Sequence, residues 1–208
     1  MLIRIGQYDS PFVRRVGIAL RLYDMPFEHR PWSTFGDAER LGEINPLRRV
    51  PTLVLDGGEA LLESAAILDY LDELAGPKAL IPKSGAPRRQ ALKICALATG
   101  LADKAVSLLY ERVVREQDSK RWVERCKIQV DGALAALEAD RAGRSTPFWF
   151  GGEIGHADIA VACTIRFTQE AHPGIFTDER WPALAEYAAR CENLPPFREI
   201  VQPLIPPR

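Results

Sequence analysis

The stretch VPTLVLDGGEALLESAAILDYLDEL occupies residues 50–74, and its hydrophobic period changes along its length. Val50-Pro51-Thr52-Leu53-Val54-Leu55 reads as a strand entered through a proline. Asp56-Gly57-Gly58-Glu59 is a hairpin-turn signal leading into Ala60-Leu61-Leu62. The period then lengthens: Ser64 can cap a helix over about residues 65–74, with Ile67, Leu68, Tyr70 and Leu71 available to pack on a sheet. A hairpin leading into an amphipathic helix belongs to a mixed α/β unit.

Upstream, the same alternation continues. Leu2-Ile3-Arg4-Ile5 is a short strand, and a polar turn leads into a helix from about Pro11 to Tyr23, whose stripe is Phe12, Val16, Ala19, Leu20 and Tyr23. Pro11 suits its first turn. A second strand follows at Pro26–Arg30, then a short irregular helix within Asp37–Glu43, and Asn45-Pro46 punctuates the chain. Downstream, Gly76 to Pro87 holds Pro77, Pro82 and Gly85 and reads as a linker. From Arg88 onward strand signals vanish, and helices fit about 88–116, 120–142, 156–170, 181–191 and 197–201. The expected organisation is an α/β unit over 1–75, a linker over 76–87 and an all-helical unit over 88–208.

Composition excludes several classes of function. With 208 residues, 47% hydrophobic and 26% charged, the chain can build one large core or two small ones. Its 27 Lys and Arg against 28 Asp and Glu give a net charge of -1, so no global positive field draws nucleic acid or an anionic membrane. The opening MLIRIGQYDSPF reaches polar residues before an export signal develops, and no apolar run approaches membrane-spanning length. The expected location is cytoplasmic. Cys95, Cys126, Cys163 and Cys191 form no CxxC pair and lie in helical stretches; buried free thiols are expected, with no metal and no dithiol chemistry.

Three corners carry chemical potential. Ser10, in Asp9-Ser10-Pro11-Phe12, stands where the first strand meets the first helix, as a helix cap or as a hydroxyl donor to a bound anion. No base adjoins it, the histidines are only His29, His156 and His172, and no GxSxG elbow exists, so serine hydrolysis is set aside. Val50-Pro51 is the second corner. A cis bond there would turn the Val50 main chain outward to pair with a peptide-like ligand, whereas a trans proline would simply open an edge strand. Glu63-Ser64 is the third, able to take an ammonium on the carboxylate and a carboxylate at the helix start. Capping alone explains Ser64, and solvent exposure alone explains Glu63.

SPFVRRV at 10–16, NPLRRVPTL at 45–53 and ESAAILDYL at 63–71 resemble the glutathione S-transferase family, as do GHADIAVA at 155–162 and WPALAEYAARCENLPPF at 181–197. The resemblance covers essentially the whole chain. It implies a thioredoxin-like N-terminal domain followed by a helical domain, glutathione as cosubstrate, a small apolar electrophile as second substrate, and a homodimer. By motif, Ser10 would hydrogen-bond the glutathione sulfur, with Tyr8 as the runner-up ligand. Val50 would pair its main chain with the cysteinyl part ahead of a cis Pro51, Glu63 and Ser64 would hold the γ-glutamyl end, and Arg49 would serve the glycyl carboxylate or general electrostatics. The implied reaction is thiolate attack on an electrophilic carbon. A glutathione-dependent isomerase, dehalogenase or lyase is the alternative, as is a noncatalytic glutathione-binding module. No cysteine occupies positions 8–15, which argues against a mixed-disulfide reductase. Leu101, Val106, Leu109 and Tyr110 are candidate walls of the electrophile pocket, or packing residues. GHADIAVA places Gly155 where the family carries a hydroxyl cap, leaving Asp158 to complete half of a capping box in a folding role.

Overall fold

The computed structural model describes residues 1–117 and 119–206. The chain divides into two compact units, Met1–Leu80 with Pro195–Pro203, and Ile81–Leu194 with the chain from Leu204.

In the first unit the order is β1 (Leu2–Ile5), α1 (Pro11–Leu22), β2 (Phe27–Arg30), α2 (Ala38–Gly42), β3 (Thr52–Val54), β4 (Ala60–Leu62) and α3 (Ser64–Ala75). The sheet runs β2-β1-β3-β4. Only β1 and β2 are parallel, because a helix crossover joins them. The β3–β4 hairpin closes through Leu55 N–H to Glu59 O at 2.8 Å. This is the thioredoxin-like arrangement that the resemblance implies. Strand alternation divides the sheet into two faces. Leu53 meets Val16, Ala19 and Leu20 of α1 and Ile67, Leu68 and Leu71 of α3 in one cluster, while Ile5 packs with Trp32 and Leu41 in another.

The second unit holds α4 (Gly85–Val113), α5 (Lys120–Ala142), α6 (His156–Ala171) and α7 (Pro182–Glu192). Nearly every residue of α6 is buried. It is tied to α4 by Thr164 Oγ1 donating to Ala98 O at 3.2 Å and by His172, just past its end, whose Nε2 bonds Ala105 O at 2.8 Å. All four cysteines are buried free thiols. Burial pushes Cys191 up to about 12, which removes it from thiolate chemistry. Leu101 and Leu109, candidate pocket walls, are 1% and 3% exposed and belong to the helical core.

The end of the chain departs from the expected division. The short α8 (Pro195–Glu199) and the residues to Pro203 group with the first unit, not with the helices of 88–208. The cause is Arg14, 2% exposed on α1, which donates from Nε to Ile200 O at 2.8 Å and from Nη2 to Phe197 O at 3.0 Å. Arg21 adds an ion pair to Glu199 at 2.6 Å. Among the described residues no helix is long and apolar enough to cross a membrane, and no His, Cys, Asp and Glu cluster forms a metal site.

Candidate functional site

Gly6 brings the first two corners together. Its φ is +126°, and a Cβ there would stand 2.6 Å from Val13 Cγ2 and 2.8 Å from Val50 Cβ. Only a residue without a side chain lets the end of β1, the first turn of α1 and the Val50-Pro51 bend pack this closely. Gly6 is fixed from several directions: its N–H donates to Arg30 O at 2.9 Å, and its carbonyl meets Arg4 Nη1 at 3.3 Å and His29 Nε2 at 3.0 Å. Burial, then the Arg4 charge, holds the His29 pKa down, so the ring is neutral at neutral pH and can donate to that carbonyl.

Ser10 is the N-cap of α1, half-buried, and its hydroxyl accepts from Val13 N–H at a long 3.4 Å. Pro11 occupies the first helical position, and the first turn carries no acidic residue. The positive end of the helix dipole therefore meets no carboxylate from within the first turn. Tyr8 points elsewhere. Its ring stacks 4.1 Å from the Arg4 guanidinium and 4.3 Å from His29, and a Cβ on Gly17 would lie 2.9 Å from its edge. Gly17 is nearly two turns into α1, so the phenol lies back along the helix and not over its first amides. Burial raises the Tyr8 pKa against the opposing Arg4 charge, which disfavours a phenolate.

The Val50–Pro51 bond is cis. Val50 belongs to neither ladder, since register runs from Ile5↔Thr52 onward, and its main chain makes no hydrogen bond among the described residues. The bend is organised from below by Asn45, 1% exposed. Its Nδ2 donates to Arg49 O at 2.8 Å and to Thr52 Oγ1 at 3.0 Å, and its Oδ1 accepts from Leu47 N–H at 2.9 Å. In the sequence Asn45 reads only as the punctuation of Asn45-Pro46; its role as a loop organiser emerges from the fold.

At the third corner the cap is Glu63 and not Ser64, which is the first residue inside α3. Glu63 adopts φ +65°, a left-handed conformation that costs a non-glycine residue about 1–3 kcal/mol and tends to persist at ligand sites. It caps α3 with no side-chain bond, leaving the carboxylate half-exposed and 3.4 Å from Arg49 Nη1. Ser64 is 3% exposed, and its Oγ is the acceptor for Arg15 Nη1 at 3.5 Å. Arg15, 5% exposed on α1, thus links the first corner to the third. Sequence reasoning missed Arg14 and Arg15, which are 2% and 5% exposed, a burial that appears only in the fold.

Matching family models extend the resemblance to both halves of the chain. The glutathione S-transferase N-terminal domain matches residues 5–79 and the C-terminal domain matches residues 120–190. A probable maleylacetoacetate isomerase of Vibrio cholerae is 28% identical over 212 residues, covering 95% of this chain and 94% of its own. A solved glutathione S-transferase of Methylobacterium radiotolerans, in complex with glutathione sulfonate, superposes with a TM-score of 0.91 at 27% identity, covering 98% of this chain and 96% of that one. A glutathione transferase family member from Pseudomonas fluorescens Pf-5, with bound glutathione, gives 0.83 at 29% identity, covering 99% and 100%. With both of its halves matched, the chain belongs to the glutathione S-transferase family.

Proposed function

We propose that the chain binds glutathione across the three corners and uses its thiolate as a nucleophile toward a small apolar electrophile. The observation that carries this reading is the junction at Gly6, which sets the unpaired main chain of Val50 beside the first turn of α1. A peptide-like ligand pairing with Val50 in strand fashion would place its central residue near Ser10. Glu63 then receives the γ-glutamyl ammonium, and the open start of α3 with Ser64 receives its carboxylate. Arg49 is close enough to Glu63 to lend charge at the rim, which fits general electrostatic support.

A free thiol resembles cysteine, with a pKa near 8.5, and lowering it by about two units requires about 2.7 kcal/mol of preferential thiolate stabilisation. The Ser10 hydroxyl and the helix dipole of α1 are the local sources. The position of Tyr8 against Arg4 and Gly17 favours Ser10 as the sulfur ligand. Isomerisation is the second reading, favoured by the Vibrio cholerae relative that spans nearly the whole chain. Both reactions use the same thiolate. A cytoplasmic location accords with four free thiols in one chain. A homodimer is part of the proposal, supported by exposed Leu74 on α3 and exposed Leu92 on α4, the elements that the resemblance assigns to subunit contact.

Calorimetric titration tests the binding mode. Glutathione is expected to bind, and cysteinylglycine, which lacks the γ-glutamyl group, is expected to bind at least tenfold more weakly. Equal affinities would overturn the assignment of Glu63 and Ser64. Product analysis with halogenated, epoxide and cis-enoyl compounds separates conjugation from elimination and isomerisation.

A further inference from the structure

A cavity lies wholly within the helical unit, where the C-terminal end of α5 faces α7. It has a volume of about 280 Å³, the size of a small metabolite site, and it is lined by Arg141, Arg144 and Arg190 with Ser145 and Thr146. We propose that this cavity binds a small phosphate-bearing molecule, independently of the glutathione site and of whether that site is used.

The three guanidinium groups are held before any ligand arrives. Arg141 Nη2 donates to Thr146 O at 2.7 Å, Arg190 Nη1 to Pro147 O at 3.1 Å, Arg141 Nη1 to Phe148 O at 3.4 Å and Arg144 Nη1 to Trp149 O at 2.8 Å. Four successive carbonyls of one loop thus fix three cations around one space, and part of the ordering cost of binding is already met.

Charge is not balanced there. Asp140 pairs with Arg144 at 2.6 Å and Glu186 with Arg190 at 2.9 Å. Arg141, only 8% exposed, has no carboxylate partner among the described residues; besides carbonyls it meets only the Tyr187 ring, 4.7 Å away. Holding the loop does not exhaust these side chains, since a guanidinium has five N–H donors. All three arginines line the cavity, so their side chains border the one space. Three guanidinium groups on one space suit a tetrahedral anion with three outer oxygens, whereas a carboxylate has two coplanar oxygens to share.

The test is calorimetric titration of the full chain with inorganic phosphate at constant ionic strength. Saturable binding is expected, and Arg190→Ala should weaken it about tenfold, the loss of one charge-assisted pair. The Arg190 side chain is 40% exposed, so the variant removes little core packing. Glu186→Gln removes the carboxylate that competes for Arg190 and should tighten binding. Absence of saturation, unchanged affinity in Arg190→Ala, weaker binding in Glu186→Gln, or equally tight binding of acetate would each overturn the proposal. Competition between phosphate and glutathione would also overturn it, by placing the anion at the first site.

Discussion

At the start of α6, Asp158 is 1% exposed and accepts from Gly155 N–H at 2.7 Å, from Trp149 N–H at 2.7 Å and from the Tyr187 hydroxyl. At the start of α1, the Ser10 hydroxyl accepts a single long bond of 3.4 Å, and no carboxylate occupies the first turn. Both helices begin with amides that lack intrahelical partners, one fewer at α1 because Pro11 has no N–H. At α6 a resident carboxylate takes the cap amide and two groups of the core and is spent on the fold. At α1 Ser10 N–H is bonded to Gln7 O at 3.3 Å, Val13 N–H meets only the Ser10 hydroxyl, and no carboxylate in the first turn meets the dipole. What marks the proposed ligand site is thus the absence of a carboxylate in the first turn of its helix.

Removing Asp158 should produce the largest effect. Asp158→Ala strands the Trp149 and Gly155 amides and the Tyr187 hydroxyl in a dry interior, at about 1–3 kcal/mol for each group. A total loss of about 3–5 kcal/mol in urea unfolding is expected. A loss near zero would mean that the two termini do not differ as described. Ser10→Ala should cost only about 1 kcal/mol of stability, yet it should lower the turnover of glutathione conjugation roughly a hundredfold, as loss of one aimed donor does elsewhere. A large stability loss with unchanged turnover would reverse the contrast. Glu63→Gln should raise the KM for glutathione about tenfold and leave kcat unchanged, the mark of a binding contact that does not change in the transition state.

The smallest effect concerns pH. His29 and His172 are both held below the ordinary histidine value of 6.5, first by burial and then by the Arg4 and Arg112 charges respectively. A base whose folded pKa is depressed contributes stability that is present above its unfolded pKa and is lost as pH falls below it. Stability should therefore decline from about pH 6.5 downward, and His172→Gln, which can still donate to Ala105 O, should flatten that decline. Unfolding midpoints across acid pH measure it.

The hairpin and the helix after it were legible because their signals are local: period two around a Gly-Gly turn, then period 3.6. The Ser10 corner was legible for the same reason, as a hydroxyl followed by Pro11. The cap at α3 was misread by one residue. Choosing Glu63 over Ser64 requires a positive φ that only tertiary packing stabilises, and Ser64 is occupied by Arg15 from another helix. The return of 195–203 to the first unit rests on Arg14 bonding carbonyls more than 180 positions away, a link without local pattern. At Asp158 the bond to Gly155 followed from spacing, but the Trp149 and Tyr187 partners did not. For Leu101 and Leu109 the sequence leaves pocket wall and packing open, because helical period assigns a residue to a face without saying whether that face meets core or ligand; burial selects packing.

The most direct measurement is the ultraviolet titration of the glutathione thiol bound to the wild-type chain, to Ser10→Ala and to Tyr8→Phe. The open start of α1 should form thiolate well below the free-thiol pKa in the wild type and in Tyr8→Phe, and much less readily in Ser10→Ala. A bound thiol that titrates as it does in free solution, or a depressed value that survives in Ser10→Ala and disappears in Tyr8→Phe, would contradict the role assigned to that helix end.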